Sequence, residues 1–170
     1  NMLFQPEMGP INGFLRSLGI TDPPGWTASI DWAMPAIIIV GIWKFMGYYM
    51  VIYLAGLQAI PGQLYEAAIV DGANKWQQFW KITVPMLTPT TFFVTIMLVI
   101  NSFKVFDQIA IMTDGGPGRA TSVLVYFLYD QGFEYFKMGY ASAAAFVLFV
   151  IVLAITIIQF KFEEKWVSYM

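Results

Sequence analysis

Cysteine and histidine are both absent from the 170-residue sequence. Without cysteine there can be no disulfide, thiol nucleophile or thiolate metal ligand. Without histidine the usual zinc sites and the acid/base group of most hydrolytic triads are missing as well. Charge is scarce too, because 12% of the residues are charged, whereas a typical soluble domain has about 25%. We therefore expect neither a catalytic site nor a metal site.

Basic residues are few and scattered, with 9 Lys and Arg against 11 Asp and Glu, for a net charge of −2. A nucleic-acid surface needs clustered Lys and Arg to neutralise phosphates, so nucleic acid is excluded as a partner. Apolar side chains are abundant instead, since 58% of the residues are hydrophobic and 18% aromatic. This composition predicts a chain whose main solvent is membrane lipid.

Three apolar stretches are long enough to cross a bilayer, which takes about 20 residues. They cover residues 33–57, 89–112 and 138–160. Pro35 and Pro89 stand in predicted first turns, where proline is tolerated, and Thr88 is the expected N-cap of the second helix. The sequence therefore predicts an all-α integral membrane protein with three transmembrane helices.

The segments outside the spans are polar and rich in turn residues. A small excess of lysine after the first and third spans, and turn-rich sequences on the other side, place the N-terminus outside and the C-terminus in the cytoplasm. The predicted division is an external segment at 1–32, a cytoplasmic hairpin at 58–88, an external loop at 113–137 and a cytoplasmic tail at 161–170.

Two short helices joined by a glycine are expected in the cytoplasmic hairpin. The first covers 64–71, and Gly72 suits the left-handed residue that closes a helix. Asn74 and Gln77 have the spacing of a capping box for a second helix, which should end before Pro85. Irregular backbone between two spans cannot remain in lipid, so this hairpin must project into water, where a partner can dock.

At this point the chain resembles the membrane permease subunits of binding-protein-dependent ABC importers. Their signature is Glu-Ala-Ala, three residues, Gly, nine residues, Ile, one residue and Leu-Pro. The matching positions are Glu66, Ala67, Ala68, Gly72, Ile82 and Pro85, with Val84 where the pattern has Leu. Four stretches resemble the carbohydrate branch, its maltose-permease-like or glycerol-phosphate-permease-like larger partner: 54–58, 102–107, 113–121 and 139–143.

In that family the hairpin is a coupling helix that sits in a groove of a cytoplasmic ATPase. The resemblance assigns to this contact Glu66, Ala67, Ala68, Asp71, Gly72, Ile82 and Pro85. It further implies a non-catalytic, multi-pass subunit of a sugar importer in a bacterial or archaeal cytoplasmic membrane. The implied partners are a second permease, an ATPase dimer that binds ATP and Mg itself, and an external solute-binding protein. Such permeases carry more spans, so this sequence corresponds to their later part.

Polar side chains within the spans are candidates for a solute path, because a charge at the membrane centre costs about 2.5–3.5 kcal/mol. Asn101, Lys104 and Gln108 recur at spacings that put them on one helical stripe, with Asp107 beside it. Lys44 lies inside the first span. The alternatives are a self-neutralising Lys104–Asp107 pair, a hydrogen bond from Asn101 to a partner subunit, and a pair between Lys44 and an acid on a preceding helix.

Aromatic residues near the span ends are expected to anchor the chain at the membrane interface. They are Trp26, Trp32, Tyr126, Tyr129, Phe133, Tyr135, Phe136 and Trp166. Residues 115–118, Gly-Gly-Pro-Gly, lack the Lys and Ser/Thr of a P-loop and predict an external turn. An alternative function, an ion- or proton-coupled secondary carrier, would use the charged residues of the spans and need no ATPase.

Overall fold

The computed structural model describes residues 2–166, with the backbone alone for 164–166, and this part of the chain is all-α. The α-helices are α1 Pro10–Ser17, α2 Ile30–Gln58, α3 Gly62–Val70, α4 Lys75–Gln78, α5 Val84–Met86, α6 Thr88–Phe103, α7 Asp107–Met112, α8 Leu124–Tyr129 and α9 Met138–Trp166. Met2–Phe4 and Trp26–Ala28 are 3-10 turns, while Phe79–Thr83 and Asp130–Glu134 are π-helical. The predicted fold class is confirmed.

Among the described residues, two helices are by themselves long and apolar enough to cross a membrane, Ile30–Gln58 and Met138–Glu163. A third span results if the helical pair Lys75–Met86 and Thr88–Phe103 counts as one, although the pair is bent by 58°. Apolar side chains surround the last of these helices on all sides, and none of residues 138–163 is buried. A helix that is apolar all round and yet exposed is suited to lipid rather than to water.

The first span begins three residues earlier than the sequence predicts. The carbonyl of Ser29 accepts a hydrogen bond from the N–H of Ala33 at 2.9 Å, so that the helix starts at Ile30. Pro35 therefore lies inside the helix and not in its first turn. At the other end α9 continues past residue 160 to Trp166, whose side chain lies outside the described part of the chain, as do residues 167–170 of the predicted tail.

The predicted continuous helix over 89–112 is wrong, because α6 ends at Phe103 and α7 begins at Asp107. Between them Phe106 packs its ring on Tyr126 and Tyr129, with ring centroids 6.1 and 4.9 Å apart. This aromatic packing holds residues 104–106 out of the helix.

The start of α6 also differs from the prediction. The N–H of Thr91 bonds to the carbonyl of Leu87 at 2.8 Å, which makes Leu87 the capping residue in place of Thr88. The hydroxyl of Thr88 instead donates to the carbonyl of Pro85 at 2.7 Å. Thr88 is therefore the first residue of α6 and not its N-cap.

The described chain forms two compact units. The first comprises the chain up to Lys44 together with Ser102–Val150, and the second comprises Phe45–Asn101 together with the chain from Ile151 onward. The first unit has two small cores, one around Phe4, Trp26 and Ala36 and one around Ile37, Ile109 and Tyr126.

The N-terminal segment of the first unit is organised around Asn12, which is 1% exposed. Its amide nitrogen donates to the carbonyls of Pro6 at 2.9 Å and Pro24 at 3.0 Å. Its amide oxygen accepts a 2.6 Å hydrogen bond from the indole nitrogen of Trp26. This segment is thus a small folded cap at the start of α2, and Trp26 is one of its core residues, so the predicted interface role of Trp26 is wrong.

Tyr126 is likewise a core residue and not an interface anchor. Its hydroxyl donates to Asp114 at 2.8 Å, and burial, together with that bond, raises the pKa of the Tyr126 hydroxyl above its ordinary value. Its ring covers Gly115, where an added Cβ would stand 2.5 Å from the Tyr126 Cε1 atom and where φ is +78°. Only glycine fits this position, which explains the first glycine of the predicted turn.

In the second unit α2 and α6 approach each other closely. A Cβ added at Gly56 would lie 2.6 Å from the Oγ1 atom of Thr90, so glycine at this position brings the two backbones together. Val94 of α6 is buried, and Phe92 meets Phe160 of α9 edge to face, with ring centroids 5.7 Å apart.

Candidate functional site

The corner of the hairpin is built by backbone hydrogen bonds around Gly72, whose φ is +77°. The N–H of Gly72 bonds to the carbonyl of Ile69 at 3.0 Å, and that of Ala73 bonds to the carbonyl of Ala68 at 2.8 Å. This pair of bonds is a Schellman motif, which ends a helix on a left-handed residue. The predicted glycine corner is confirmed.

The second arm of the hairpin starts with the predicted capping box. The side chain of Asn74 accepts from the N–H of Gln77 at 2.9 Å, and the side chain of Gln77 accepts from the N–H of Asn74 at 2.8 Å. The arm does not end before Pro85, as predicted, but passes through a π-helical turn at Phe79–Thr83 and continues to Met86. The wider turn ends two residues before Pro85, and proline lacks an N–H for the regular ladder.

The first arm exposes a small apolar surface with one carboxylate. No residue of α3 is buried, and Glu66 and Ala67 are both exposed. Ile69 and Val70, which follow them, are 62% and 87% exposed. Because alanine adds little bulk beside Glu66, a partner surface can pack closely against this arm and still reach the carboxylate.

The other predicted coupling residues divide into two sets. Asp71 and Gly72 are exposed at the corner, next to the apolar surface of α3. Ile82 and Pro85 are half-buried in the second arm, and Ala68 is half-buried in the first. The exposed residues are therefore more available to a partner than the half-buried ones.

Two features of the hairpin were not predicted from the sequence. The hydroxyls of Tyr65 and Thr83 lie 2.8 Å apart and share a hydrogen bond between the two arms. Trp76, Phe79 and Trp80 form an exposed aromatic cluster, with ring centroids 5.3–6.1 Å apart. Their i, i+3, i+4 spacing is a readable helical signal for the cluster, but nothing local to Tyr65 indicates its partner.

Asn101 of α6 makes an intramolecular hydrogen bond. Its amide nitrogen donates to the hydroxyl of Tyr49 at 3.1 Å, and Tyr49 is buried in the second unit. The alternative is a hydrogen bond from Asn101 to a partner subunit, whereas the bond in the structure is made to Tyr49 within this chain. Tyr49, a further residue that the sequence did not indicate, fixes where the Asn101 amide lies.

In the first unit Asp107 pairs with Lys44, whose Nζ atom lies 2.5 Å from Asp107 Oδ2. The alternative pair between Lys104 and Asp107 is wrong, because Lys104 lies in the break between α6 and α7, where the i to i+3 relation of a helix does not apply. Both members of the observed pair are well exposed, at 45% and 61% of their side-chain surface. Lys44 therefore finds its acid within this chain and not on a preceding helix.

Gln108 is 7% exposed and lies beside Gly41 of α2, where an added Cβ would be 3.7 Å from the Gln108 Oε1 atom. Its Nε2 atom is buried and has no hydrogen-bond partner among the described residues. The predicted stripe is therefore divided: Asn101 belongs to α6, Lys104 to the break and Gln108 to α7. A buried amide N–H with no partner can donate to a bound polar molecule.

Comparison with known proteins gives one family. Residues 2–167 match the family described as binding-protein-dependent transport system inner membrane component. The chain is 40% identical over 163 residues to a probable ABC transporter permease protein, YurN, of Bacillus subtilis, covering 95% of this chain and 56% of that protein. It is 42% identical over 173 residues to the sn-glycerol-3-phosphate transport system permease protein UgpA of Agrobacterium fabrum, covering 98% of this chain and 57% of that protein.

Among solved structures, the chain resembles a bacterial ABC transporter involved in the import of the acidic polysaccharide alginate. The TM-score is 0.85 at 27% identity, with 96% of this chain and 57% of that chain covered. The alginate transporter has also been crystallised in complex with an alginate pentasaccharide-bound periplasmic protein. The chain spans slightly more than half the length of the relatives that it matches.

Proposed function

Because the chain belongs to the family of binding-protein-dependent transport system inner membrane components, we propose that it is part of a permease subunit of an ATP-driven importer of a sugar or sugar-like solute. A separate ATPase dimer hydrolyses ATP, a second permease subunit completes the membrane pore, and an external binding protein delivers the solute. The permease itself carries out no chemistry. Family membership favours this function over the ion-coupled carrier.

The observation that carries the proposal is the exposed first arm of the hairpin. Its exposed surface combines a small residue, Ala67, with the carboxylate of Glu66, and it ends at a Schellman corner, beside the half-buried Ala68. An exposed apolar surface on a polar hairpin is stabilised when a groove covers it, and the carboxylate then gives the contact a fixed orientation. In the proposal the ATPase supplies that groove, and closure of the ATPase dimer moves the hairpin.

The polar groups near the break between α6 and α7 are the proposed contacts for the solute. The unpartnered amide N–H of Gln108 can donate to a sugar hydroxyl, and the exposed charges of Lys44, Lys104 and Asp107 can accept or donate further bonds. Asn101, held by Tyr49 in the second unit, is a separate candidate. Sugars carry many hydroxyls, so neutral and charged hydrogen-bonding groups together suit this class of solute.

The proposal is tested by purifying the affinity-tagged full-length permease from its native membrane. We expect an ATP-hydrolysing subunit to co-purify with it. Glu66→Lys should lower the recovered ATPase at least several-fold, because it reverses the charge on the docking surface. Glu134→Lys, the same change at an exposed carboxylate outside the hairpin, should leave recovery unchanged. Equal recovery of the ATPase with both variants would contradict docking through this arm.

A further inference from the structure

The hairpin is thinly packed for an element that has to transmit movement. No residue of α3, α4 or α5 is buried. Along the whole second arm up to Met86, Thr83 is the buried residue, at 8% exposure. A segment with so few buried contacts opens and bends easily unless specific bonds hold it.

Several hydrogen bonds fix the corner of the hairpin. The Schellman bonds of Gly72 and Ala73, the capping box that begins at Asn74, and a 3.0 Å bond from the Gln78 amide to the carbonyl of Ala73 all lie close to the turn. These bonds fix the angle at the corner. They do not hold together the far ends of the two arms, where each arm joins its membrane helix.

The Tyr65–Thr83 hydrogen bond joins the two arms away from the corner, from the middle of α3 to the π-helical turn. It joins side chains 18 residues apart, with Tyr65 on α3 next to Glu66 and Thr83 in the π-helical turn. Thr83 is followed directly by Val84, Pro85 and Met86, and α6 begins at Thr88. Thr83 is buried and Tyr65 is half-buried, so the bond is partly shielded from competing water, which strengthens it.

We propose that the Tyr65–Thr83 hydrogen bond makes the two arms of the hairpin move as one body. Displacement of the first arm, α3, which we call the docking arm, then reaches α6. Tyr65 and Thr83 are positioning residues for coupling, since neither belongs to the exposed docking surface. The inference rests on the proposed function, because it assigns a role within the contact between permease and ATPase. With the corner fixed and the arms joined at a second point, the two arms keep their relative position when the hairpin is pushed.

Single-atom variants isolate the bond. Tyr65→Phe removes only the phenolic oxygen, and Thr83→Val replaces the hydroxyl by a methyl group of similar size. Thr83→Ser keeps the hydroxyl and is the conservative variant that should retain coupling. Tyr53→Phe, at another half-buried tyrosine of the same unit, is the matched control.

The experiment measures whether nucleotide binding at the ATPase changes the accessibility of a residue beyond α6. This measurement can be made without knowing the solute. A single cysteine, Lys104→Cys, is placed in the full-length permease, assembled with its partners in proteoliposomes. These 170 residues contain no cysteine, and any cysteine elsewhere in the permease is first replaced by serine. The rate of labelling by a water-soluble maleimide is compared without nucleotide and after trapping with ATP and vanadate. ATPase recovery and basal ATP hydrolysis are measured on the same samples.

We expect nucleotide trapping to change the labelling rate in the parent, in Thr83→Ser and in Tyr53→Phe. The nucleotide-dependent change should fall about fivefold in Tyr65→Phe and in Thr83→Val, which corresponds to the loss of one hydrogen bond. The double variant should be no worse than either single one, because both remove the same bond. ATPase recovery should stay constant throughout.

Two results would overturn the inference. A full nucleotide-dependent change in Tyr65→Phe would show that the bond is not needed for transmission, while the proposed function stands. A parent that neither recovers an ATPase nor responds to trapping would refute the proposed function, and the inference with it. Loss of coupling in Tyr65→Phe alone, with Thr83→Val like the parent, would assign the effect to another partner of Tyr65 and would also contradict the inference.

Discussion

The hairpin and the break between α6 and α7 both interrupt apolar helices, but they do so for different reasons. In the hairpin, Gly72 and the Asn74–Gln77 box stop and restart the chain through bonds to near neighbours in sequence. At the break, Phe106 is held by rings more than a dozen residues away. Local chemistry therefore defines the first interruption, and tertiary packing defines the second.

The largest expected effect is at Gly72, where local geometry alone makes the corner. Gly72→Val puts a β-branched residue at φ +77°, which costs about 1–3 kcal/mol. Gly62→Val is the matched control, because both glycines have open space around them and only Gly72 has a positive φ. We expect ATPase recovery with the purified permease to fall about tenfold for Gly72→Val, while membrane insertion is unchanged.

The control should change ATPase recovery by no more than about twofold, as is usual for surface positions. Similar losses in Gly72→Val and Gly62→Val would show that side-chain bulk on the hairpin matters and that the corner conformation does not.

Two glycines of α2, Gly47 and Gly56, allow the helix propensity of alanine to be compared with the cost of crowding a neighbouring helix. Alanine in place of a helical glycine normally stabilises by about 0.5–1 kcal/mol, and we expect this gain for Gly47→Ala, where nothing lies within 4 Å of the new Cβ. Gly56→Ala should instead destabilise by about 1–3 kcal/mol, because its Cβ would lie 2.6 Å from Thr90 Oγ1. Thermal unfolding of the purified permease in detergent measures both changes.

Thr90→Ala in the Gly56→Ala background should recover part of the lost stability, because it removes the obstructing hydroxyl. Stabilisation of the same size by Gly47→Ala and Gly56→Ala would mean that α2 and α6 do not approach closely at this position.

Water access along residues 101–109 tests the break directly. Cysteines introduced one at a time should react quickly with a charged maleimide at the exposed positions, Lys104 and Asp107, and slowly at the buried positions, Gln108 and Ile109. These 170 residues contain no cysteine to add background. Equally fast labelling at 101, 104 and 108 would show that these residues lie on one continuous helical face and that α6 and α7 are not separated by a break.

The smallest effect is expected for the ion pair of the first unit. Exposed pairs contribute about 0.2–1 kcal/mol, and both Lys44 and Asp107 are well exposed. A double-mutant cycle of Lys44→Met and Asp107→Asn, read from thermal unfolding, should give a coupling energy in this range. The cycle with Lys104→Met in place of Lys44→Met should give no coupling. Coupling between Lys104 and Asp107, with none between Lys44 and Asp107, would show that the predicted Lys104–Asp107 pair forms instead.

Much of the fold could be predicted from the sequence, because membrane helices and hairpin corners have local signals. Long apolar stretches indicate α2 and α9, and Gly72 with Asn74 indicates the hairpin. The break at 104–106 could not be predicted, since the sequence there has neither glycine nor proline and keeps a helical pattern. Its cause lies on α8, far along the chain.

The candidate site follows the same division. The exposed residues of the docking arm could be read from a motif with fixed spacing, whereas the partners of the polar span residues could not. Tyr49 for Asn101, Lys44 for Asp107 and Thr83 for Tyr65 are each separated in sequence by many residues. Sequence spacing predicts which polar groups need a partner, and the packing of helices decides which partner they receive.

The buried amide of Asn12 has a consequence for the chemical ageing of the protein. Asn12 is followed by Gly13, and asparagine before glycine normally loses ammonia when the next backbone nitrogen attacks its side chain. Here Asn12 is helical and both ends of its amide are hydrogen-bonded, so that attack is blocked while the N-terminal cap stays folded. The rate at which Asn12 converts to aspartate during storage, measured by mass spectrometry, would thus report how often the cap opens locally.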